Sequence, residues 1–419
     1  MINLYIFNET RLAAIYGVGT YIRELTAALY HSDLTVNMVN LKQDIPYVQI
    51  EEKEGIRFWS IPDVISDQRT IDTKKQNALY SRNIVFFLQL HIKDTTNLIF
   101  HLNICQTTSL TEELKKTFNC RIVATIHYFN WFLYQFEKGM RYRQISTSKE
   151  NGVKYKISND ESVKDEKMFY EKFDHIICLS EISRQILLND YEINKERISV
   201  IFNGLTDTVS VTDRQLLRQK YHIPDMPIFV FAGRIDEFKG LKYLIQSFKK
   251  VLTTCSQCHL IIAGDGAFDM YMKECEDIWM RVTWTGLINR EKLYDLYAIA
   301  DIGVMPSLYE TFGYVAVEMM MHSLPVIATA TSGLNEVVDD TCGLKIPVTE
   351  NNNKFEIDTD ILAEKMLFLL QHPEERQRLG ANGRKRYETL FSGDVFRQNM
   401  LTFYHSLSEK THPPNDENL

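Results

Sequence analysis

The sequence predicts an α/β protein built from two doubly wound parallel-sheet domains that face each other across a cleft. Strand-like and helix-like runs alternate along the chain, which is typical of parallel sheets covered by helices on both faces. The 419 residues, 45% hydrophobic and 24% charged, indicate a globular protein of two or more domains. A polar segment from Ile201 to about Asp225 interrupts the alternation. We therefore expect one domain over residues 1–210 and another over residues 211–393.

Apolar runs of strand length occur in both halves. The first half predicts strands near 2–7, 98–102, 121–126, 175–179 and 198–202, with helices such as 21–29 and 183–190 between them. The second half predicts strands near 228–232, 259–263, 281–284, 301–305 and 325–329, then helices near 361–370, 374–387 and 395–407. The first run lacks a preceding basic region, so we expect a buried strand there instead of a signal peptide. No run approaches the roughly 18 apolar residues of a membrane span, and we expect a cytoplasmic protein.

Charge and cysteine usage exclude several functions. The formal charge of −8 argues against general binding of nucleic acid. Seven cysteines, an odd number, indicate reduced thiols. The pair Cys255 and Cys258 follows a predicted helix, where the helix dipole opposes a reactive thiolate, and no second pair completes a zinc site. Asp358-Thr-Asp360 precedes a predicted helix, which favours an N-cap over a metal site. We expect neither a metal nor a cofactor.

The segment from Ser307 to Glu318 places two carboxylates around a glycine turn where a helix is predicted to begin. Glu310 lies in the loop and Glu318 inside the helix, while the first-turn amides of Phe312, Gly313 and Tyr314 are available to an anion. This geometry suits a sugar-nucleotide. An isolated pair with this spacing is more often a loop acid and a solvated helical acid.

A second segment, from Phe231 to Gly240, follows a predicted strand and leads into a helix. It carries Arg234 and Lys239 at the carboxyl end of the strand, which is where ligands bind in open α/β sheets. An arginine fork and a lysine point charge together suit a diphosphate. Two ordinary surface cations are the alternative for this segment alone, but both segments together predict a diphosphate-sugar site.

With these segments the sequence resembles the retaining GT-B glycosyltransferases of the glycogen-synthase-like "glycosyltransferases group 1" family, family 4 type. The resemblance extends over nearly the whole chain and is clearest from Gly233 to about Pro347. Further matching stretches there are Ile262-Ala-Gly264-Asp-Gly266, Thr285-Gly286, Leu293 to Asp301, Leu324-Pro325-Val-Ile-Ala and Ser332-Gly333-Leu-Asn-Glu336. Weaker matches in the first half are Gly17-Val18-Gly19, His127, Leu179 to Arg184 and Asn203-Gly204.

The resemblance implies two Rossmann-like domains, a last helix over residues 394–410 that completes the first domain, and metal-independent sugar transfer with retention. The co-substrate would be a nucleoside-diphosphate sugar. Arg234 and Lys239 would neutralise its diphosphate, Glu310 would orient hydroxyls of the transferred sugar, and Glu318 would bind the ribose. The implied donor contacts also include the amides of Phe312, Gly313 and Tyr314, the base-binding residues Leu287 and Ile288, and Gly264 and Gly266, for which a plain tight turn is equally open.

On the first domain the resemblance implies that Gly17 and Gly19 open the first helix beneath the donor's phosphates and leave room for its sugar. It also implies that His127 lies near the reacting sugar. The family's usual pair of adjacent glycines is Tyr16-Gly17 here, which weakens the predicted phosphate contact. A structural histidine is the alternative for His127. We interpret Glu181 and Arg184 as the start of a helix and its brace.

The acceptor is predicted only by class: a glycan, a lipid-linked sugar or a peptide, in bacterial glycan biosynthesis. The segment between Tyr128 and Tyr170 combines aromatic and basic residues, which suit an acceptor lid or peripheral contact with the inner face of the membrane, although an ordinary structural insertion is equally open. These residues are Trp131, Phe132, Tyr134, Phe136, Lys138, Arg141, Arg143, Lys149, Lys154 and Lys156. The alternative functions are a sugar phosphorylase or nucleotide-sugar epimerase, and a catalytically decayed binding protein.

Overall fold

The computed structural model describes residues 2–9, 17–63, 73–103, 108–129, 146–147, 153–154, 161–209, 214–223, 225–351 and 354–409. Most of the described strands form two parallel sheets, each packed against helices on both faces. We call the first sheet and its helices the first lobe, and the second sheet and its helices the second lobe. The described helices are too short or too polar to cross a bilayer.

The first lobe contains an eight-stranded sheet in the order β10-β9-β6-β5-β1-β2-β4-β3, in which only β3 runs antiparallel to its neighbour. Its strands are β1 Asn3–Glu9, β2 Thr35–Gln43, β3 Gln49–Lys53, β4 Ile56–Pro62, β5 Leu98–Leu102, β6 Arg121–Ile126, β9 His175–Cys178 and β10 Ile198–Val200, and a short pair, β7 Ser146–Thr147 and β8 Val153–Lys154, lies apart from it. Its helices are α1 Gly17–Leu29, α2 Thr73–His91, α3 Thr108–Thr117, α4 Glu161–Glu171 and α5 Glu181–Asn189.

The second lobe contains a six-stranded, wholly parallel sheet in the order β13-β12-β11-β14-β15-β16. Its strands are β11 Ile228–Ala232, β12 His259–Ala263, β13 Val282–Gly286, β14 Ile302–Met305, β15 Val326–Thr329 and β16 Gly343–Ile346, followed by the hairpin β17 Val348–Asn351 and β18 Lys354–Ile357. Its helices are α6 Arg214–Lys220, α7 Leu241–Thr254, α8 Asp269–Glu274, α9 Arg290–Ile299, α10 Tyr314–Met321, α11 Leu334–Val337, α12 Thr359–Gln371 and α13 Pro373–Arg386.

Two crossings connect the lobes. The segment after β10 meets the chain again where Leu205 bridges Ser392, and α14 Gly393–Glu409 then packs against α1. Buried Phe396 and Tyr404 of α14 join the core beneath the first sheet. Gly204 lies so close to α14 that an added Cβ would be 2.2 Å from the Phe396 Cβ, so only glycine fits at this crossing.

The strands predicted from apolar runs are all present, with bounds that differ by at most two residues at either end. No element is predicted from the sequence between residues 30 and 97, where the structure has β2, β3, β4 and α2. Strand β16 and the β17–β18 hairpin are also not predicted. The antiparallel edge strand β3 is largely exposed and polar, and therefore lacks the continuous apolar run that marks the buried strands.

Candidate functional site

The strand order of the second sheet reverses direction between β11 and β14, and the loops that follow these two strands lie side by side. The Leu308 amide donates to the Phe238 carbonyl at 2.7 Å. Gly240 has a φ of +65°, and a Cβ there would lie 1.9 Å from the Pro306 carbonyl oxygen. A reversal of this kind opens a crevice at the carboxyl ends of the strands. The two predicted segments therefore meet at the topological switch point of the sheet.

Lys239 and Glu310 are joined across these loops by a hydrogen-bonded ion pair between Nζ and Oε1. Ser307 Oγ donates to the same carboxylate oxygen at 3.1 Å. The Lys239 and Glu310 side chains are 22% and 14% exposed, so the pair is partly withdrawn from water. One predicted cation and one predicted carboxylate, contributed by different motifs, thus lie together with access to solvent.

Arg234 follows β11, and its guanidinium Nε donates to the Asp236 carboxylate. That carboxylate also accepts the Lys239 amide at 3.2 Å, which orders the short loop between the two cations. The Arg234 side chain is 46% exposed. Phe238, from the same loop, packs against the core of the first lobe, so the loop carrying both cations lies at the junction between the lobes.

Gly264 and Gly266 follow β12 and allow this strand's loop to approach the Arg234 loop. Both have positive φ angles, +150° and +145°. An added Cβ would lie 1.8 Å from the Gly233 carbonyl oxygen at one position and 2.3 Å from that of Ile235 at the other. These two glycines therefore allow the loops after β11 and β12 to pack closely. Their contact with the donor stays a prediction.

Helix α10 begins beside Glu310 with a free amino-terminal turn. Gly313 has a φ of +105°, and the first bond from this turn into the helix is from the Ala316 amide to the Gly313 carbonyl, at 3.0 Å. Within the described chain, the amides of Phe312, Gly313 and Tyr314 have no hydrogen-bond acceptor. Such amides, together with the helix dipole, favour an anion.

The loop between β15 and α11 holds the Glu310 loop in place. The Glu310 amide donates to Ser332 Oγ at 2.9 Å, and the Gly333 amide donates to the Glu310 carbonyl at 2.8 Å. Thr331 Oγ1 adds a bond to the Leu308 carbonyl at 2.9 Å. A Cβ on Gly333 would lie 1.9 Å from the Thr311 carbonyl oxygen, so this brace also requires glycine.

Glu318 lies one turn into α10 and is 7% exposed. The Tyr297 hydroxyl donates to its carboxylate at 3.1 Å. Burial raises the pKa of Glu318 to about 7, against the opposing effects of the Arg290 charge and the Tyr297 bond. This carboxyl therefore titrates near neutrality, and its contacts are with residues that the sequence analysis did not assign to the site.

A cross-lobe contact lies next to Glu318. Arg290 Nη1 is 3.4 Å from a carboxylate oxygen of Glu24 on α1. The other Glu24 oxygen accepts the Thr206 amide at 2.8 Å and its hydroxyl at 2.6 Å. Sequence reasoning missed Glu24, Arg290 and Tyr297 because no local motif joins positions so distant along the chain.

The predicted base-binding residues follow β13. Leu287 is 57% exposed, whereas Ile288 is partly buried against a core cluster of the second lobe. The Gly264 amide donates to the Gly286 carbonyl at 3.0 Å, so this turn is tied to the glycine loop after β12. One exposed and one anchored apolar residue therefore lie at the end of β13, and their contact with a base stays a prediction.

Gly17 and Gly19 lie in the first turn of α1, on the other lobe. A Cβ on Gly17 would lie 3.6 Å from the ring of Tyr314, which is ordinary van der Waals contact. The start of α1 therefore faces the start of α10 across the cleft. Tyr16, which stands where the family usually has a glycine, lies outside the described residues.

His127 follows β6 and packs edge-on against the Tyr21 ring, with 4.7 Å between ring centroids. Its Nε2 is 3.4 Å from Asn103 Oδ1. Burial lowers the pKa of His127 to about 3, so the imidazole is neutral at pH 7. A neutral imidazole offers one donor and one acceptor, which suits contact with sugar hydroxyls.

A buried chain of hydrogen bonds supports the Tyr21 ring from behind. The Tyr21 hydroxyl lies 3.1 Å from Thr125 Oγ1, which lies 2.7 Å from Nε2 of His101. Nδ1 of His101 lies 2.7 Å from the hydroxyl of Tyr404 on α14. These bonds link the last helix to the Tyr21 ring that packs against His127, and they were not predicted from the sequence.

Four further interpretations made from the sequence concern residues outside the proposed donor site. Glu181 begins α5 and pairs with Arg184 at 2.8 Å, and Asp358 caps α12 by accepting the Asp360 amide at 2.8 Å, so both structural readings are confirmed. Burial raises the pKa of the Cys258 thiol to about 12, which opposes a redox role. The side chains of the predicted acceptor segment, 131–156, lie outside the described residues.

Comparison with known proteins finds a family match in the second lobe and curated relatives over part of the chain. Residues 213–386 match the family described as "Glycosyl transferases group 1". Alpha-D-kanosaminyltransferase of Streptomyces kanamyceticus is 27% identical over 215 residues, which cover 49% of this chain and 54% of that protein. D-inositol 3-phosphate glycosyltransferase of Mycolicibacterium smegmatis is 29% identical over 185 residues, 42% of each protein. The chain spans about half the length of the curated relatives it matches.

Solved structures match over both lobes. Sucrose-phosphate synthase from Thermosynechococcus elongatus has a TM-score of 0.75 at 23% identity, covering 98% of this chain and 100% of that one. Anabaena HepE, solved in complex with UDP and glucose, has a TM-score of 0.71 at 16% identity, covering 97% and 100%. These likenesses confirm the predicted fold class, GT-B with two Rossmann-like parallel-sheet domains.

Proposed function

We propose that this protein is a glycosyltransferase, on the premise that residues 213–386 belong to the glycosyl transferases group 1 family. It transfers a sugar from a nucleoside-diphosphate sugar to an acceptor, with retention of anomeric configuration and without a metal. The observation that carries the proposal is the Lys239–Glu310 pair at the switch point of the second sheet. A solved relative in complex with UDP and glucose supports a nucleotide-sugar donor.

Lys239 forms an ion pair with Glu310. An incoming diphosphate supplies a second anion beside the same ammonium, and the neighbouring amides at the start of α10 add their dipoles. Lys239 then binds phosphate while Glu310 accepts hydrogen bonds from hydroxyls of the transferred sugar. One ion pair thus positions both ends of the bond to be broken, and Arg234 adds a fork of donors from the adjoining loop.

These groups act on the leaving group. As the anomeric carbon becomes oxocarbenium-like, negative charge accumulates on the departing nucleoside diphosphate, and preorganised cations and amides stabilise that charge. Neutral His127 contacts the transferred sugar from the first lobe. For retention, the acceptor attacks from the face that the diphosphate leaves, and the leaving phosphate accepts the acceptor's proton. Proton NMR of the first-formed product tests this outcome, and an inverted anomeric configuration would refute retention.

Metal independence rests on the charge supplied by the chain itself. Two cations and a free helix terminus lie at the proposed diphosphate position, and the described residues contain no group of three or more His, Cys, Asp or Glu side chains arranged for a metal. We expect turnover to persist in excess EDTA. Loss of turnover in EDTA, restored by a divalent cation, would refute this part.

The acceptor is proposed by class, as a glycan, a lipid-linked sugar or a peptide of bacterial glycan biosynthesis. We place the enzyme in the cytoplasm, with peripheral contact at the inner face of the membrane. Among the curated relatives is a capsular polysaccharide biosynthesis glycosyltransferase of Staphylococcus aureus, 25% identical over 245 residues, or 56% of this chain and 62% of that protein. That relative is consistent with the proposed class.

The test is product analysis with a panel of nucleoside-diphosphate sugars and mixed acceptors. We expect one donor to release its nucleoside diphosphate while an acceptor gains the mass of one sugar residue. Conversion of the donor to an epimer, or phosphorolysis of a glycoside without donor, would refute the proposal in favour of a different reaction on the same fold. Binding of donor without any turnover across the panel would indicate a binding protein.

A further inference from the structure

Helix α2 of the first lobe has two apolar faces, of which only one is buried. Tyr80, Ile84 and Leu88 pack into the core of the first lobe. On the other side Leu79, Phe86 and Leu90 are 58%, 63% and 54% exposed. At 100° per residue these three positions fall within about 40° of one another around the helix axis. They form a continuous exposed stripe.

The charged residues between Asp72 and Asp94, which flank this helix in the sequence, are all basic. Residues 73–93 contain four cations and no aspartate or glutamate, in a protein whose formal charge is −8; the cations are Lys74, Lys75, Arg82 and Lys93. Lys75 and Arg82 lie on the same arc of the helix as the stripe. The Lys93 ammonium donates to the Leu90 carbonyl at 2.8 Å, which places it at the end of the stripe. The stripe is therefore bordered by positive charge.

One carboxylate of the neighbouring helix faces this surface. Glu113 of α3 lies 3.3 Å from Arg82 Nε, and the Arg82 side chain is 67% exposed. An exposed pair of this kind contributes little and is readily exchanged for another anion. The described surface of α2 therefore remains basic as well as apolar.

We propose that the exposed face of α2, defined by Lys75, Leu79, Arg82, Phe86 and Leu90 and called here the α2 surface, docks on an anionic lipid bilayer. A basic amphipathic helix with aromatic and leucine side chains at the surface lies in the plane of the headgroups and inserts its apolar side chains among them. Anionic lipid satisfies both features at once. A neutral apolar partner would interact with the stripe but not with the cations.

The position of α2 relates this docking to the cleft. Strands β4 and β5 are both parallel to the strands between them, so α2, which connects β4 to β5, runs antiparallel to the sheet. Its first turn therefore lies toward the carboxyl edge of the sheet, which is the edge that faces the cleft. A bilayer on the α2 surface would lie along the flank of the first lobe, within reach of an acceptor carried by a lipid. The docking itself does not depend on the proposed sugar transfer.

Co-sedimentation with vesicles tests the proposal. The full chain is expected to bind vesicles of equal parts phosphatidylcholine and phosphatidylglycerol and not vesicles of phosphatidylcholine alone. Added salt weakens the binding because it screens the cations. Each Lys or Arg near an anionic surface contributes about fivefold in affinity, so Lys75→Gln with Lys93→Gln should weaken binding by roughly twentyfold to thirtyfold.

The apolar stripe is tested by the triple variant Leu79→Ser, Phe86→Ser and Leu90→Ser, which is expected to lose vesicle binding. The matched control replaces three exposed apolar residues of the second lobe by serine, Leu216, Met270 and Met280, which are 61%, 57% and 84% exposed. The control is expected to bind as the parent does. Thermal melting of both variants verifies that they fold, since all six positions are exposed.

Three results would overturn the proposal. The first is absence of binding by the parent chain to anionic vesicles, and the second is equal binding by the parent and the stripe variant. The third is size-exclusion chromatography in which the parent is a dimer, the stripe variant is a monomer and neither binds vesicles, which would assign the stripe to a second copy of the chain. Vesicle binding without sugar transfer would count only against the proposed function.

Discussion

The two lobes form their sides of the cleft from different kinds of contact. In the second lobe, Arg234, Lys239 and Glu310 come from loops that follow neighbouring strands, and each side chain lies within a few residues of a glycine turn. In the first lobe, His127 is positioned by Tyr21, which depends on a hydrogen-bond chain reaching Tyr404 on the last helix. Local loops leave a motif in the sequence. A chain of contacts that spans the whole protein does not.

The largest expected effect lies in the second lobe. Lys239→Ala and Arg234→Ala should each lower kcat by about a hundredfold to a thousandfold, because each removes a preorganised positive charge from the leaving group. The measurement is steady-state kinetics with the donor identified by product analysis. Lys242→Ala, at an exposed position on α7, is the matched control and should have the kcat of the parent. Near-normal kcat in both site variants would show that the second lobe does not stabilise the leaving group.

The next effect concerns Glu318, whose folded-state pKa of about 7 lies above its ordinary value of 4.5. The folded protein therefore holds this proton more tightly than the unfolded chain does. The resulting stabilisation is complete below about pH 4.5 and is lost as the pH rises to about 7, on the order of 3 kcal/mol in total. Glu318→Gln should remove this pH-dependent loss of stability, because glutamine does not titrate.

Urea unfolding of parent and Glu318→Gln across this pH range is the measurement. The difference in unfolding free energy between them should shift in favour of the variant as the pH rises. Glu364→Gln, at a side chain 71% exposed on α12, is the control and should follow the parent. A constant difference between parent and Glu318→Gln from pH 4 to pH 8 would contradict the assignment of a buried, proton-holding carboxyl.

A smaller effect is expected in the first lobe. His127→Ala removes a neutral imidazole from the proposed sugar position and should lower kcat by about tenfold to a hundredfold, the value of one or two hydrogen bonds. His222→Asn is the control, because His222 is exposed and Asn tolerates its positive φ. If His127→Ala changes only the melting temperature, the histidine is structural and the site belongs to the second lobe alone.

The smallest expected effect concerns Tyr404 on the last helix. Tyr404→Phe leaves Nδ1 of buried His101 without its partner and should destabilise the protein by about 1–2 kcal/mol. If the role of Tyr404 is only structural, the variant should lose stability and keep its kcat. If this chain of hydrogen bonds positions Tyr21 against His127, kcat should also fall by about twofold to fivefold, with KM for the donor unchanged. A fall of that size corresponds to part of the free energy of one hydrogen bond. An unchanged kcat would show that this chain of hydrogen bonds does not position His127.

The sequence predicts most of the second lobe because its signals are local. Strands β11 and β12 are short apolar runs followed at once by glycines with positive φ, and their bounds agree with the prediction residue by residue. The contact between Lys239 and Glu310 follows from two loops at one edge of a parallel sheet.

The sequence does not predict α2 because its apolar residues lie on two faces. Buried Ile84 and Leu88 alternate with exposed Phe86 and Leu90, so no single stripe recurs with the helical period. Glu318 shows a different limit. Its carboxylate is recognisable in the sequence, but its burial and its contacts with Tyr297 and Arg290 depend on how α9 and α10 pack. Packing between helices distant in sequence leaves no local pattern.

The most direct test of the central claim is a thermal-shift titration of the parent and of Lys239→Ala with a panel of nucleoside diphosphates. Ligand that binds only the native state raises the melting temperature. We expect at least one nucleoside diphosphate to stabilise the parent and to lose most of that effect in the variant. A panel without any stabilising member, or an equal shift in both proteins, would contradict a diphosphate site built on Lys239.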